Sequence, residues 1–401
     1  MADINVGLFG LGVVGEGIVK VISNAKNANA EIKRICVKDS SKKRNVELKP
    51  GMITQQREDI FNDPEINLIV EVINDPDAAY EIVSEALKKG LSVVSGSKTM
   101  IARHLPELIE LQRKHGASLL YDASSCGSIP VIRNLEEYYD NDLLLEVKGI
   151  LNGSSNFILS RVFDHNENYE NALQTAIDLG FAETDPSFDI EGFDSLYKLI
   201  IITVHALGVY VKPSDIFTYG ITHISDFDIN FAKEKRVKIK LVAQVVKISE
   251  SRFTMFVMPE FVPKSRYIYS VDDEYNGVVI RGECYDRQFM FGKGAGSLPT
   301  ASSILSDVVA HHHGYKYGYK KMGYKDTPVY TTDVLLKVYV RFSDTPIPDL
   351  LPFHSILERY SSQTLNYVVG EIKLKDLIEC DKILRNPDVF VINIPRFFED
   401  N

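Results

Sequence analysis

Asp194 and Lys198 stand four residues apart in GFAETDPSFDIEGFDSLYKL, the stretch from Gly180 to Leu199, which runs straight into the apolar LIIITVHALG. If Asp194 opens a helix, acid and amine share one face, and the carboxylate sits at the positive end of the helix dipole. Glu183, Asp185, Asp189 and Glu191 precede them, so acids gather ahead of a single amine at the mouth of a buried helix. A held acid–amine pair is the equipment of general acid–base chemistry. Alone, the stretch reads first as a capped helix behind a solvated acidic loop, since charge runs usually face water; the motifs around it shift that reading.

The first of these is at the chain start. The apolar INVGLF, 4–9, has the composition of a buried parallel strand, and Gly10-Leu11-Gly12-Val13-Val14-Gly15 follows at once, leading into the helix-like EGIVKVISNA. Strand, glycine turn and helix come in the order a dinucleotide site needs. Gly10 allows the tight turn, Gly12 lets the backbone approach a pyrophosphate, and Gly15 lets helix pack on strand, with the phosphates at the helix N-terminus. A second apolar run, 32–37, ends at Lys38-Asp39, where a residue reading the ribose is expected. Strand and helix then alternate: strands over 67–73 and 91–95, helices over 76–89 and 105–114. The pattern implies a doubly wound parallel sheet, which binds ligands beyond the carboxyl ends of its strands. Asn74 and Gly96-Ser97-Lys98 fall there, which puts the Lys98 amine within reach of a substrate lying on the cofactor.

The chain has 401 residues, room for two or three domains, with a net charge of −10 and a pI near 5.5. An acidic surface argues against nucleic acid or anionic membrane as partner. The basic patches Lys42-Lys43-Arg44 and 233–240 are short and read as solvated faces or a phosphate contact. Neither a secretion signal nor a membrane span is indicated, and the four scattered cysteines suit a reducing cytoplasm.

Six stretches in order resemble the homoserine dehydrogenase family: GLFGLGVVG, SGSKTMIA, YDASSCGSIPVIRNL, GILNGSSNFIL, GFAETDPSFDIEGFDSLYKL and FGKGAGSLPTASSILSDVV, together spanning about residues 4–310. The resemblance implies an NAD(P)-dependent enzyme that reduces aspartate semialdehyde to homoserine. It makes Lys198, Asp194 and Lys98 catalytic, with Ser97 in place of the family's usual asparagine. Glu183 and Asp189 match carboxylates that bind the substrate ammonium or support the lysines, and Gly153-Ser154 match the substrate loop, with serine for threonine. Gly10, Gly12, Val13, Val14, Gly15, Lys38, Asp39, Asn74, Ser97, Gly294 and Gly296 form the expected cofactor site. Asp122, with Ser125, Gly127 and Ile129, matches a monovalent cation site (Na+ or K+) in which glutamate is usual. Hydride addition to an aldehyde puts charge on its oxygen, which a lysine ammonium can meet; Lys198 is assigned as proton donor and Lys98 as carbonyl polariser, an order that is reversible at this stage. Basic residues around Asp39 outnumber it, which favours NADP(H) over NAD(H).

The expected fold class is α/β: a Rossmann-type doubly wound domain over 1–130 plus about 295–313, and an α+β substrate and dimerisation domain over 131–294. A linker, 314–330, then leads to a small ACT-like module, 331–401. In that module strands are expected at 334–342, 367–372 and 389–394 and helices at 350–360 and 374–384, one strand short of the usual pattern, with SDTPIPDLLP too rich in proline to favour threonine sensing. His311-His312-His313 read as a solvated helix end rather than a metal site, because consecutive helical side chains diverge. An open sheet with edges to bury favours a homodimer or homotetramer. The alternative function is a non-catalytic cofactor- or amino-acid-binding regulator, against which the full set of Glu183, Asp194, Lys198 and Lys98 speaks.

Overall fold

The computed structural model describes residues 4–25, 28–141, 143–343, 347–362 and 365–395. Contacts divide the chain into two compact units: 1–142, 200–210 and 292–324 in the first, and 143–199, 211–291 and 325–401 in the second.

The first unit is built on six parallel strands: β1 (Ile4–Phe9), β2 (Ala30–Cys36), β3 (Ile53–Thr54), β4 (Leu68–Glu71), β5 (Ser92–Ser95) and β6 (Leu119–Leu120). Their order, 3-2-1-4-5-6, is that of a dinucleotide-binding fold. β1 and β4 are buried almost throughout, as strands covered on both faces must be, which is why they read as continuous apolar runs. Asp75 caps the helix Pro76–Lys88 by accepting from the amides of Asp77 and Ala78. The next helix, Lys98–His115, starts seven residues before the expected Leu105 and carries Pro106 inside it, because the turn after β5 fixes where the helix begins. The helix Ser297–His312 packs on Val13–Asn24. Gly314 to Tyr324, expected as part of a linker, packs into this unit: Tyr317 and Tyr319 are buried, and Glu136 accepts from the Gly318 and Tyr319 amides.

The second unit carries a ten-stranded sheet. It contains β7 (Leu144–Ile150), β8 (Val237–Ser249), β9 (Arg252–Pro263), β10 (Tyr275–Gly282), β11 (Asp286–Lys293), β12 (Val329–Tyr330), β13 (Leu335–Phe342), β14 (Ser355–Ser361), β15 (Asn366–Lys373) and β16 (Phe390–Ile394), in the order 11-10-7-8-9-16-13-15-14 with β12 beside β9. Two expectations fail here. Residues 355–361 are a strand paired antiparallel with β15, not part of a helix over 350–360, so the described residues of the C-terminal segment carry four strands, not the expected three. The helix-favouring Leu-Glu-Arg of this stretch yields to cross-strand pairing, as propensity does when tertiary partners exist. The expected helix over 374–384 is two short ones, Leu374–Glu379 and Asp381–Leu384. Of SDTPIPDLLP, residues 344–346 lie outside the described set.

The expectation that 233–240 is a solvated basic face holds at Lys233, Lys235 and Arg236, which are exposed, and fails at Lys238 and Lys240. Lys238 and Lys240 are 8% and 1% exposed. Lys240 donates to Asn156 Oδ1 at 3.0 Å, the Val271 carbonyl at 2.5 Å and Asp272 Oδ1 at 2.9 Å, while Lys238 bridges Asp164 and Asp272.

Candidate functional site

In the first unit, the glycine turn has the shape of a phosphate cradle. Gly10 adopts φ +99°, and a Cβ there would lie 2.9 Å from the Val72 carbonyl oxygen. A Cβ on Gly15 would come within 2.3 Å of the Gly10 carbonyl, whereas Gly12 has open space around it. Two glycines are thus required for packing and the third leaves room for a ligand. Gly12 is the N-cap of Val13–Asn24 and no side chain caps that end, so the first amides, at exposed Val13 and half-buried Val14, are available to an anion. Ser297 closes the cradle from the far end of the unit by donating to the Val13 carbonyl at 2.6 Å.

Lys38 and Asp39 are exposed beyond the end of β2. Asp39 accepts from the Ser41 amide at 2.8 Å and hydroxyl at 2.6 Å, and these bonds hold its carboxyl below the usual range. Arg44 donates to the carbonyls of Asp39 and Lys42, so its guanidinium braces the loop that displays Asp39. Asn74 is exposed after β4. Ser97 and Lys98 begin a helix at the carboxyl end of β5. Sequence reasoning passed over what holds that turn. Glu71, fully buried on β4, accepts from the Ser95 hydroxyl at 2.6 Å, and Ser95 Oγ in turn accepts from the Ser97 amide at 3.1 Å. Burial pushes the Glu71 carboxyl up to about 7.

Gly294 and Gly296 lie in the return segment. The Lys293 carbonyl accepts from the Ser128 amide and hydroxyl, and a Cβ on Gly127 would lie 2.5 Å from the Gly294 oxygen. Asp122 is buried, with Oδ1 accepting from the amides of Ile132 at 2.8 Å and Arg133 at 3.2 Å. It therefore serves the open N-terminus of the helix Val131–Glu137. Burial and the nearby Asp307 carboxylate raise its pKa. The Ile129 carbonyl likewise accepts from the Val131 amide. Among the described residues no group of three or more His, Cys, Asp or Glu side chains is placed to hold a metal, and His311 instead meets the Ser118 hydroxyl at 3.2 Å.

In the second unit, Asp194 is the second residue of the helix Phe193–Leu207, and Lys198 follows one turn later. Both are buried, at 1% and 6% exposure, and their charged atoms meet at 2.7 Å. Lys198 Nζ also donates to the Leu151 carbonyl at 2.7 Å. Asn152 ties the acids together: its amide nitrogen donates to Asp189 Oδ1 at 2.7 Å and Asp194 Oδ2 at 2.9 Å, while its oxygen accepts from the Ser155 amide. Asn152 thereby caps the helix Gly153–Asp164. A Cβ on Gly153 would lie 2.7 Å from the Glu274 oxygen, and Ser154 donates to the Phe181 carbonyl at 2.5 Å, fastening this helix start to the turn before Glu183. Glu183 is exposed. The cluster therefore brings together Asp189, Asp194, Lys198, Gly153 and Ser154 through Asn152 and the Leu151 carbonyl, neither of which was singled out from sequence. The asparagine of GILNGSS at a helix start was a legible capping signal. The cluster can hold a protonated amine, buried but charge-balanced, against a reacting oxygen.

A family model described as homoserine dehydrogenase matches residues 130–309, and another, described as homoserine dehydrogenase, NAD binding domain, matches residues 10–122. Homoserine dehydrogenase of Bacillus subtilis (strain 168) is 35% identical over 317 residues, 77% of this chain and 73% of that one. That of Synechocystis sp. is 33% identical over 315 residues, 76% and 72% of the two chains. The crystal structure of a homoserine dehydrogenase from Thiobacillus denitrificans matches with a TM-score of 0.84 at 28% identity, over 98% of both chains. That of S. aureus homoserine dehydrogenase at pH 7.5 gives 0.74 at 27% identity, over 98% and 99%.

Proposed function

The chain belongs to the homoserine dehydrogenase family and is an NAD(P)-dependent oxidoreductase acting on a CH–OH group, and from that premise we propose how its residues divide the reaction. The reaction is the reversible reduction of L-aspartate 4-semialdehyde to L-homoserine. The observation that carries the assignment is Lys198, buried and held at 2.7 Å by both Asp194 and the Leu151 carbonyl. Two of its three N–H groups are thereby fixed, and the third serves the substrate oxygen.

When bound, the reduced nicotinamide supplies hydride to the aldehyde carbon. Lys198 gives its proton to the oxygen that becomes the homoserine hydroxyl, while Asp194 keeps the amine oriented and its charge balanced. Lys98 polarises the carbonyl from the β5 turn that Glu71 and Ser95 fix. Glu183 takes the substrate ammonium, Asp189 supports it through Asn152, and Gly153 and Ser154 shape the loop beneath the substrate. Gly10, Gly12, Val13, Val14 and Gly15 receive the pyrophosphate, and Asn74, Ser97, Gly294 and Gly296 complete the cofactor site. A Na+ or K+ ion at Asp122, Ser125, Gly127 and Ile129 fits less well, since two amides already occupy Asp122 Oδ1, and no step passes through it.

Finer readings follow the same division. Lys38, Lys42, Lys43 and Arg44 favour the 2′-phosphate of NADP(H), although Asp39 stands among them. Residues 331–401 are ACT-like: the antiparallel order β14-β15-β13-β16 supports this. A homodimer or homotetramer is supported by the open sheet, whose cavity of about 580 Å³ is lined by Lys148, Phe256, Arg281 and Leu335 and includes none of the acid–amine cluster. Homoserine oxidation followed as nicotinamide absorbance, with each cofactor in turn, tests the reading. Turnover is expected with a higher kcat/KM for NADP+. A higher value with NAD+ overturns the cofactor preference, and no turnover with either would favour the regulator.

A further inference from the structure

Asn276 lies on β10 and is fully buried, 125 residues along the chain from the carbonyl it holds. Its Nδ2 donates to the Leu151 oxygen at 2.9 Å, and that same oxygen accepts from Lys198 Nζ at 2.7 Å. One peptide carbonyl thus receives a neutral amide on one lone pair and the site's ammonium on the other. Among the described residues nothing else about the Asn276 side chain is satisfied: Oδ1 is buried and has no hydrogen-bond partner there. The amide cannot be turned to relieve this, because Oδ1 would then face the Leu151 carbonyl oxygen.

Such a half-satisfied amide is a poor structural choice. An apolar side chain of similar volume would fill the space without burying an unpaired acceptor, a costly arrangement that persists where function requires it. The loop before β10 shows how completely a structural asparagine is used: Asn156 donates to the carbonyls of Val271, Asp273 and Tyr275 and accepts from Lys240. Asn276 makes one bond, and that bond lands on the carbonyl that aims Lys198.

We propose that Asn276 is a positioning residue for the reaction: by clamping the Leu151 carbonyl it fixes the direction in which Lys198 holds its proton for the substrate oxygen. Leu151 is followed directly by Asn152, which binds Asp194, the other partner of Lys198. Residues 151, 152 and 276 together set the amine between two fixed acceptors. The inference rests on Lys198 being the proton donor.

The test is a double-mutant cycle on kcat for homoserine oxidation, using wild type, Asn276→Ala, Lys198→Ala and the double variant. Asn276→Ala is expected to lower kcat roughly 10-fold, within the coupling typical of groups in one hydrogen-bond network, with cofactor affinity unchanged. In the Lys198→Ala background the same substitution is expected to cost less than about 2-fold, because a clamp without an amine has nothing left to aim. An equal loss in both backgrounds, or wild-type kcat for Asn276→Ala, overturns the proposal. Near wild-type turnover of Lys198→Ala would instead overturn the assignment of the proton donor. If Asn276→Ala does not fold, Asn276→Asp keeps the size and exchanges the N–H for an acceptor. Its kcat relative to wild type is expected to recover as the pH falls and the new carboxyl gains a proton to donate to Leu151. A ratio near one at every pH would contradict the clamp.

Discussion

Lys198 and Lys240 both belong to the second unit, both are withdrawn from water, at 6% and 1% exposure, and each contacts a carboxylate and a backbone carbonyl. They differ in what remains. Lys240 spends all three N–H groups, on Asn156, Val271 and Asp272, and so locks the loop before β10 against the helix Gly153–Asp164. Among the described residues Lys198 spends two, on Asp194 and Leu151, and in the proposed reaction the third serves the substrate. A buried lysine with every donor committed is a structural fastener; one with a donor left over, held rigidly, is equipment for proton transfer. Burial alone does not separate them.

The contrast is sharpened by a third buried cation. Arg341 on β13 donates to both oxygens of Asp228, to the Asp388 carbonyl and to the His223 carbonyl, and Asp228 is fully buried. Arg341→Ala would leave that carboxylate without its counter-charge and is expected to destabilise the unit by roughly 3–5 kcal/mol in urea unfolding. The turnover of the remaining folded enzyme should stay near wild type, and a specific loss of kcat with stability intact would break the classification. Lys240→Ala comes next, at roughly 1–3 kcal/mol, because its partners keep other contacts: Asp272 also pairs with Lys238. Its kcat is expected within a few-fold of wild type, and an orders-of-magnitude loss would place Lys240 in the reaction.

A pH dependence tests the same contrast. Burial outweighs Asp272 and lowers the Lys240 ammonium from 10.5 to about 8. Between those values the unfolded chain binds the extra proton and the folded one does not, so stability from this group is present above 10.5 and lost as the pH falls through about 8. The difference in unfolding free energy between wild type and Lys240→Met should therefore move in favour of wild type as the pH rises from 7 to 10. A flat difference would mean that Lys240 titrates as a solvated amine.

Which of these groups could be seen in the sequence follows from the range of the contacts that define them. Asp194 and Lys198 pair within one helical turn, and the glycine turn after β1 is a local strand-to-helix junction, so spacing points to both and the neighbouring motifs decide their meaning. Lys240 looked like one more charge in a basic run, because its acceptors come from residues 156, 271 and 272. Asn276 and Leu151, far apart in sequence, left no periodic trace. Residues 355–360 read as helix from local composition, while β15, later in the chain, supplies the pairing that makes them strand. Asn152 was visible in principle as a cap, but its bridge between Asp189 and Asp194 depends on the return of the chain 37 and 42 residues later.

Chemical rescue of Lys198→Ala bears most directly on the claim that this one amine supplies the proton. Lys198→Ala is expected to lose roughly 10²–10⁴-fold in kcat for aspartate semialdehyde reduction, with cofactor affinity retained. Added ethylammonium should restore part of that turnover in a concentration-dependent way, and the same amine should leave Lys240→Ala unchanged. Turnover of Lys198→Ala within a few-fold of wild type in the absence of added amine would contradict the account.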